Sequence, residues 1–192
     1  MRVFLAGATG VIGMRLIPLL VGAGHEVAGM TRSPARAELV SGQRVTPVVC
    51  DVFDAEALDA AVTGFGPDLV MHQLTDLPDE SDLIAEFAAR NNRIRTEGTR
   101  NLLAAARRAG AGRFLAQSIA WTPPGAGDAV AEHERLVLEA GGVVLRYGMF
   151  HGPGTYFGTE RVPPPPRVHV AEAARRTVAA LDAPSGILTI TD

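Results

Sequence analysis

Gly7-Ala8-Thr9-Gly10-Val11-Ile12-Gly13 is the stretch on which the reading of this chain turns. The apolar run Val3-Phe4-Leu5-Ala6 before it reads as a buried strand. From Val11 to Val21, apolar Ile12, Leu16, Leu19 and Leu20 recur at helical spacing. A strand that turns through glycines straight into a helix leaves the first N–H groups of that helix facing open space, a cradle for phosphate. Gly7 permits the tight turn, Gly10 lets an anion approach the backbone, and Gly13 lets helix pack on strand. Thr9, Val11 and Ile12 complete the loop. The spacing is G-x-x-G-x-x-G, and the plain alternative is a glycine-rich turn with no ligand.

Outward from the loop, short apolar runs alternate with helical patterns. That alternation predicts a parallel sheet covered on both faces, a doubly wound α/β fold of Rossmann type. Gly22-Ala23-Gly24 stops the first helix, in which Pro18 is an awkward residue, and Glu26 to Met30 is the second strand. Ser33 caps a short helix that Pro34 begins. Val45 to Val49 is the third strand, Asp54 caps a helix from Ala55 to Val62, and Leu69-Val70-Met71 is the fourth strand. A long helical stretch runs from about Ser81 to Ala109. The fifth strand lies in Gly112 to Gln117, a helix spans about Ala129 to Ala140, and Val143 to Arg146 is the sixth strand. After Met149 the pattern degrades through Gly152-Pro153-Gly154 and the proline run 163–166. A helix from about Val170 to Leu181 and a strand from Gly186 to Ile190 follow. Residues 1–192 read as one domain, with about 150–168 as a short segment over one edge.

Composition narrows the function classes. The chain has 192 residues, 47% hydrophobic and 20% charged, with a net charge of −3. Its 18 basic residues, all arginine, are scattered among 21 acidic ones, so no basic track predicts nucleic acid or an acidic membrane surface as partner. No apolar run reaches the roughly 18 residues of a membrane span. The single cysteine, Cys50, fits a reducing compartment, so a cytoplasmic protein is expected. The five histidines lack the spacing of a metal site, and none is expected.

The end of the second strand selects between dinucleotides. A carboxylate there would bond the ribose 2′-hydroxyl of NAD, whereas arginine accommodates the 2′-phosphate of NADP. This chain offers Thr31-Arg32-Ser33 and then Arg36, with no acid before Glu38. A guanidinium pairs well with phosphate, so NADP is the expected cofactor and NAD the alternative. Both arginines can also be read as solvated surface residues. Asp51, at the carboxyl edge of the sheet, reads either as an adenine contact, with Val52 beside it, or as a cap.

Taken together, these features resemble the extended and atypical short-chain dehydrogenase/reductases of the NAD-dependent epimerase/dehydratase type. The resemblance runs through the glycine loop, Asp51-Val52-Phe53-Asp54, Pro67 to Leu74, Gly98 to Leu103, Arg113 to Ser118, Leu145-Arg146-Tyr147-Gly148, Gly152-Pro153-Gly154 and Val168 to Ala174. It implies that His72, Gln73 and Leu74 flank the nicotinamide end and that Ser118 binds a substrate carbonyl. It also implies a homodimer paired through the long helix and the 129–140 helix, and a small-molecule substrate.

The departures are as informative. Family catalysis rests on a tyrosine and, four residues on, a lysine, which here fall at Ala126 and Val130. There is no lysine at all and no tyrosine before Tyr147. Family members also carry a larger substrate cap, so a wide and exposed pocket is expected here. Ser118 with Thr122 remains able to polarise a carbonyl, and His133 or Glu132 to supply a proton. The alternative for His133 is a surface position on its helix. Tyr147 reads as a pocket brace or an acid, and Tyr156 as a loop residue able to reach the pocket. His151 and His169 read as packing or capping residues. Arg90 to Arg95 reads as a solvated face that can touch a cofactor phosphate or substrate anion through Asn92 or Arg95. The expected function is an atypical NADP-dependent oxidoreductase acting on a small carbonyl or hydroxyl compound. The alternatives are a non-redox NAD(P)-binding regulator, or an isomerase or cyclase reusing the pocket.

Overall fold

A computed structural model of the chain describes residues 1–41, 45–121 and 125–192. Seven strands form one parallel sheet: β1 (Arg2–Ala6), β2 (Glu26–Thr31), β3 (Val45–Val49), β4 (Leu69–His72), β5 (Arg113–Ile119), β6 (Val143–Tyr147) and β9 (Gly186–Ile190), in the order β3-β2-β1-β4-β5-β6-β9. Two three-residue strands, β7 (Met149–His151) and β8 (Arg167–His169), pair separately beyond its edge. This confirms the expected doubly wound fold. The small pair is additional, because three-residue strands carry too little periodicity to read.

The helices are α1 (Gly13–Gly22), α2 (Pro34–Ser41), α3 (Ala55–Phe65), α4 (Ala88–Arg93), α5 (Thr99–Arg108), α6 (Gly127–Glu139) and α7 (Val170–Ala179). Local chemistry sets their ends. Ser33 Oγ accepts from the N–H of Arg36, and Asp54 Oδ1 accepts from that of Ala57 at 3.0 Å. Gly66, at φ +62°, ends α3 in the left-handed conformation that glycine adopts without strain. Pro18 lies inside α1 on its solvent side. The expected continuous helix over 81–109 is divided. A short turn at Ser81–Leu83 precedes α4, and a single π-helical turn, Ile94–Gly98, separates α4 from α5. Such turns frequently mark functional sites.

Strand alternation builds two cores. On β1, Val3 and Leu5 face the layer containing α1 and α7, while Phe4 and Ala6 face α3, α5 and α6. On β6, Val143, Leu145 and Tyr147 face the first layer and Val144 the second. The parity places Ser118 and Arg146, which are register partners, on the second face. Tyr147 therefore lies across the sheet from Ser118. Among the described residues no helix is long and apolar enough to cross a membrane.

Candidate active site and cofactor cleft

The strand order reverses between β1 and β4, and the crevice at their carboxyl ends is where an open α/β sheet takes its ligand. Gly7 opens it with φ +92°, and a Cβ there would come within 2.5 Å of the Gln73 carbonyl oxygen at the end of β4. A Cβ on Gly13 would be driven into the carbonyl of Gly7. α1 starts without a side-chain cap, since Ile12 has no polar atom to give, and no acid stands in its first turn. The residues present thus form a bare backbone cradle with uncapped N–H groups, which fits a dinucleotide pyrophosphate. Thr9 Oγ1 donates to Thr31 Oγ1 at 3.1 Å, fixing the loop against the end of β2.

Beyond β2, Arg32 meets Asp76, a carboxylate that sequence reading missed. Arg32 Nη2 lies 3.0 Å from Asp76 Oδ1, and Arg90 from α4 grips the same carboxylate through Nε and Nη2, each at 3.0 Å. Burial pushes the Asp76 carboxyl up, but the two guanidinium groups outweigh it and hold it below the usual range. The side chain of Arg32 stays 58% exposed while the Asp76 carboxylate is nearly buried. Arg36 is on the surface of α2. Asp51 is exposed, with Oδ1 accepting from the N–H of Phe53 at 2.9 Å, while Val52 is buried and its carbonyl accepts from Asn101. Asn92 donates its amide N–H to the Gly125 carbonyl, and its Oδ1 accepts from Arg95 Nη1.

On the α5/α6 face, a buried hydrogen-bond chain runs beneath the carboxyl ends of β4 and β5. The N–H of Leu74 donates to His72 Nδ1 at 3.3 Å, and His72 Nε2 lies 3.1 Å from Thr99 Oγ1. Thr99 Oγ1 lies 2.7 Å from His133 Nδ1, and His133 Nε2 lies 2.8 Å from the Gln117 carbonyl. The two ends fix the direction. His72 accepts at Nδ1 and so donates from Nε2, whereas His133 donates to a carbonyl at Nε2 and so accepts at Nδ1. Thr99 then accepts from one and donates to the other, and two neutral imidazoles satisfy every bond. Burial holds both histidines below the ordinary imidazole range. His133 is 2% exposed, so the surface reading of it does not hold, and neither of its nitrogens is left for a substrate.

Beside this chain, Ser118 Oγ donates to Glu134 Oε1 at 2.5 Å, and Arg146 binds the same carboxylate through Nε at 2.9 Å and Nη2 at 2.5 Å. Burial raises the Glu134 carboxyl, and the bonds from Arg146 and Ser118 outweigh it and hold it below the usual carboxylate range. The position of Val130 is half-buried on α6 and that of Ala126 is buried at its start. Tyr147 is in the opposite core. Its hydroxyl lies 2.6 Å from Thr177 Oγ1 on α7, and burial pushes its phenol far above the ordinary value. It braces α7 and does not face Ser118. Gln73 is buried with neither side-chain polar atom bonded among the described residues. Thr122 lies outside the described residues.

The short segment after β7 is pinned at two places. Arg15 donates to the carbonyls of Val11 and Pro153, tying it to the glycine loop. The Tyr156 hydroxyl donates to the Pro78 carbonyl, tying it to the loop after β4. These two contacts fix the segment to the glycine loop and to the loop after β4. His169 caps α7 by accepting from the N–H of Ala171.

Comparison with known proteins agrees with this geometry. A sequence profile of NAD(P)H-binding proteins matches residues 7–140. A 3-diazoavenalumate denitrifying reductase from a Streptomyces species is 38% identical, the match covering 100% of this chain and 76% of the relative. A 3-beta-hydroxysteroid dehydrogenase from Mycolicibacterium neoaurum is 33% identical over 59% of this chain and 31% of its own length. UDP-glucose 4-epimerase from Thermus thermophilus, solved with NAD, superposes with a TM-score of 0.81 at 22% identity, covering 100% of this chain and 78% of that one. A short-chain dehydrogenase from Burkholderia cenocepacia, solved with NADP, gives 0.80 at 19% identity, covering 100% and 88%. The glycine cradle, the strand order and these likenesses lead to one conclusion: the chain belongs to the NAD(P)H-binding family, with the Rossmann fold of the epimerase-type short-chain dehydrogenase/reductases.

Proposed function

We propose that the chain is an NADPH-dependent reductase whose acceptor takes up hydride without needing a proton from the protein. One observation carries the reading. Around Ser118 no described side chain is free to act as the acid, because Ser118 donates to Glu134, both nitrogens of His133 are engaged, and Ala126 and Val130 stand where tyrosine and lysine would. Reduction of a carbonyl needs such an acid. Reduction of an aryl diazonium does not.

The relative named for a diazo substrate and for denitrification points to that acceptor class. A nicotinamide held in this cleft would supply a hydride, and with an aryl diazonium the new C–H bond would replace the C–N bond, whose electron pair would leave on dinitrogen, to give the arene, dinitrogen and the oxidised cofactor. For their part, the residues of the chain bind and orient. The glycine loop holds the pyrophosphate, and Arg32, braced by Asp76, faces the 2′-phosphate and favours NADP over NAD. His72 and Leu74 shape the nicotinamide end, Ser118 presents its lone pairs to the substrate, and the pinned 150–168 segment serves as a reduced cap against water. This reading keeps residues 1–192 as a single domain in the cytoplasm.

The test is a titration of NADPH and NADH followed by turnover with a diazonium benzoate and with a panel of simple ketones. The expected result is NADPH oxidation with dinitrogen release from the diazonium above the rate without protein, and none with the ketones. Deuterium carried on the hydride position of the cofactor should appear on the product ring. Cofactor binding without turnover of either class sinks the reductase reading and favours the regulator.

A further inference from the structure

Four arginines lie close together along residues 90–100. Three are taken by carboxylates: Arg90 by Asp76, Arg93 by Glu97 and Arg100 by Glu132. Arg95, on the π-helical turn, is the exception. Among the described residues it forms no ion pair, and its one bond is from Nη1 to Asn92 Oδ1 at 3.2 Å. It is nevertheless half-buried, and burial alone weakens its hold on the proton relative to an ordinary guanidinium. A charge withdrawn from water without a counter-charge is costly, and such groups are paired in the working state.

The side chain of Arg95 lines a small cavity at the carboxyl ends of β4 and β5, with Leu74, Thr75, Gln117 and Ser118 also in its wall. Its volume of about 40 Å³ admits on the order of two or three water-sized groups, the size of a carboxylate. The π-helical turn that presents Arg95 packs against α6, the helix on which the absent lysine would have stood at Val130. Among the described residues the cavity wall therefore holds one cation, a serine oxygen and no acid, and the nearby Glu134 is already paired with Arg146.

We infer that Arg95 is the substrate-recognition residue for an anion: it takes the carboxylate of an aromatic acid whose reacting carbon is thereby set beside Ser118. This deepens the reductase reading and rests on it for the identity of the site. It turns the missing lysine into a specificity device, since a cation that no longer serves a tyrosine is replaced by one that reads the substrate.

Calorimetric titration of cinnamate and of neutral cinnamide into the NADPH-saturated protein tests it, with Arg95→Gln and Arg95→Lys alongside wild type. The expected result is cinnamate binding at least about ten-fold tighter than cinnamide. Arg95→Gln should lower cinnamate affinity about 10- to 100-fold, to the level of cinnamide, and Arg95→Lys should keep part of the difference. NADPH affinity should stay within about two-fold, because in this reading the phosphates that carry its charge are held by the glycine loop and Arg32 and not by Arg95. Equal cinnamate binding by wild type and Arg95→Gln overturns the inference. So does a parallel loss of NADPH affinity, which would assign Arg95 to the cofactor. If wild type fails to bind NADPH the reductase reading falls instead, and the same cinnamate series on the protein alone still decides the role of Arg95. Thermal melting of both variants verifies folding, and Arg95→Lys carries the test if Arg95→Gln does not fold.

Discussion

The Ser118 hydroxyl donates a hydrogen bond to Glu134, whose Oε1 stands 2.5 Å from the serine oxygen. The serine comes from β5 and the carboxylate from α6, and Arg146, the register partner of Ser118 on β6, closes the triangle. The arrangement turns the lone pairs of Ser118 outward and fixes helix to sheet at the edge of the cavity. Removing the carboxylate charge should therefore be felt in stability before chemistry. We expect Glu134→Gln to lower stability by about 1–3 kcal/mol in urea denaturation, because Arg146 loses its charge partner. Ser118→Ala should lower it by about 1 kcal/mol or less, since Glu134 keeps both bonds from Arg146. A larger loss from Ser118→Ala than from Glu134→Gln would contradict this order.

The buried imidazole chain gives a second expectation. His133→Ala takes away the acceptor of the Thr99 hydroxyl and the donor to the Gln117 carbonyl and opens a cavity against His72, so it should cost about 3 kcal/mol. His133→Gln, which can keep one of the two bonds, should recover part of that. Equal losses for the two variants would mean that volume alone matters at this position.

That second expectation extends to pH, which the same groups govern. His72 and His133 bind protons less readily folded than unfolded, so as pH falls below the ordinary histidine value, about 6.5, the unfolded chain is protonated first and stability declines. Asp76 and Glu134 are also held below their ordinary values, so their contribution is complete above the carboxylate range and disappears as pH drops through it. The denaturation midpoint should fall in two stages on acidification. The first stage should shrink in a His72→Phe, His133→Phe double variant; an unchanged first stage would assign it to other groups.

The glycine loop offers a third test. Gly13→Ala places a methyl group against the Gly7 carbonyl with no flexible neighbour to yield, so the backbone cradle must open. We expect NADPH affinity to fall about 100-fold or more by fluorescence titration, with about 1–3 kcal/mol lost in stability. Gly22→Ala on the same helix meets nothing and should leave binding unchanged.

A fourth concerns the choice of dinucleotide. Arg32→Gln should weaken NADPH about ten-fold and leave NADH within about two-fold, because only the 2′-phosphate offers a charge to that guanidinium. Equal weakening of both would show that Arg32 merely anchors the loop through Asp76.

Much of this was legible in the residues. The loop from Gly7 to Gly13, the Ser33 and Asp54 caps and the strands at Val45–Val49 and Gly186–Ile190 follow from local spacing and local hydrogen bonding. The π-helical turn at Ile94–Gly98 was not, because a continuous helical pattern carries no mark of one extra residue. Nor was the burial of His133. Ala-Glu-His-Glu-Arg has the composition of a solvated face, yet α6 is covered by the sheet on one side and by α5 and the π-helical turn on another.

By itself the sequence determined that a glycine turn stands between a buried strand and a helix, and that the usual tyrosine and lysine are gone. Both are facts of residue type and near-neighbour spacing. Which side chains meet was decided only by tertiary structure. Alternation says that Arg146 and Tyr147 face opposite ways, but the register of β6 against β5 and the side taken by each helix put Arg146 beside Ser118 and Tyr147 against Thr177. The same placement joined Asp76 to Arg32 across 44 residues and left Arg95 lining the cavity without a counter-charge among the described residues. Long-range pairings depend on how the crossovers stack helices on the sheet, and no local pattern encodes them.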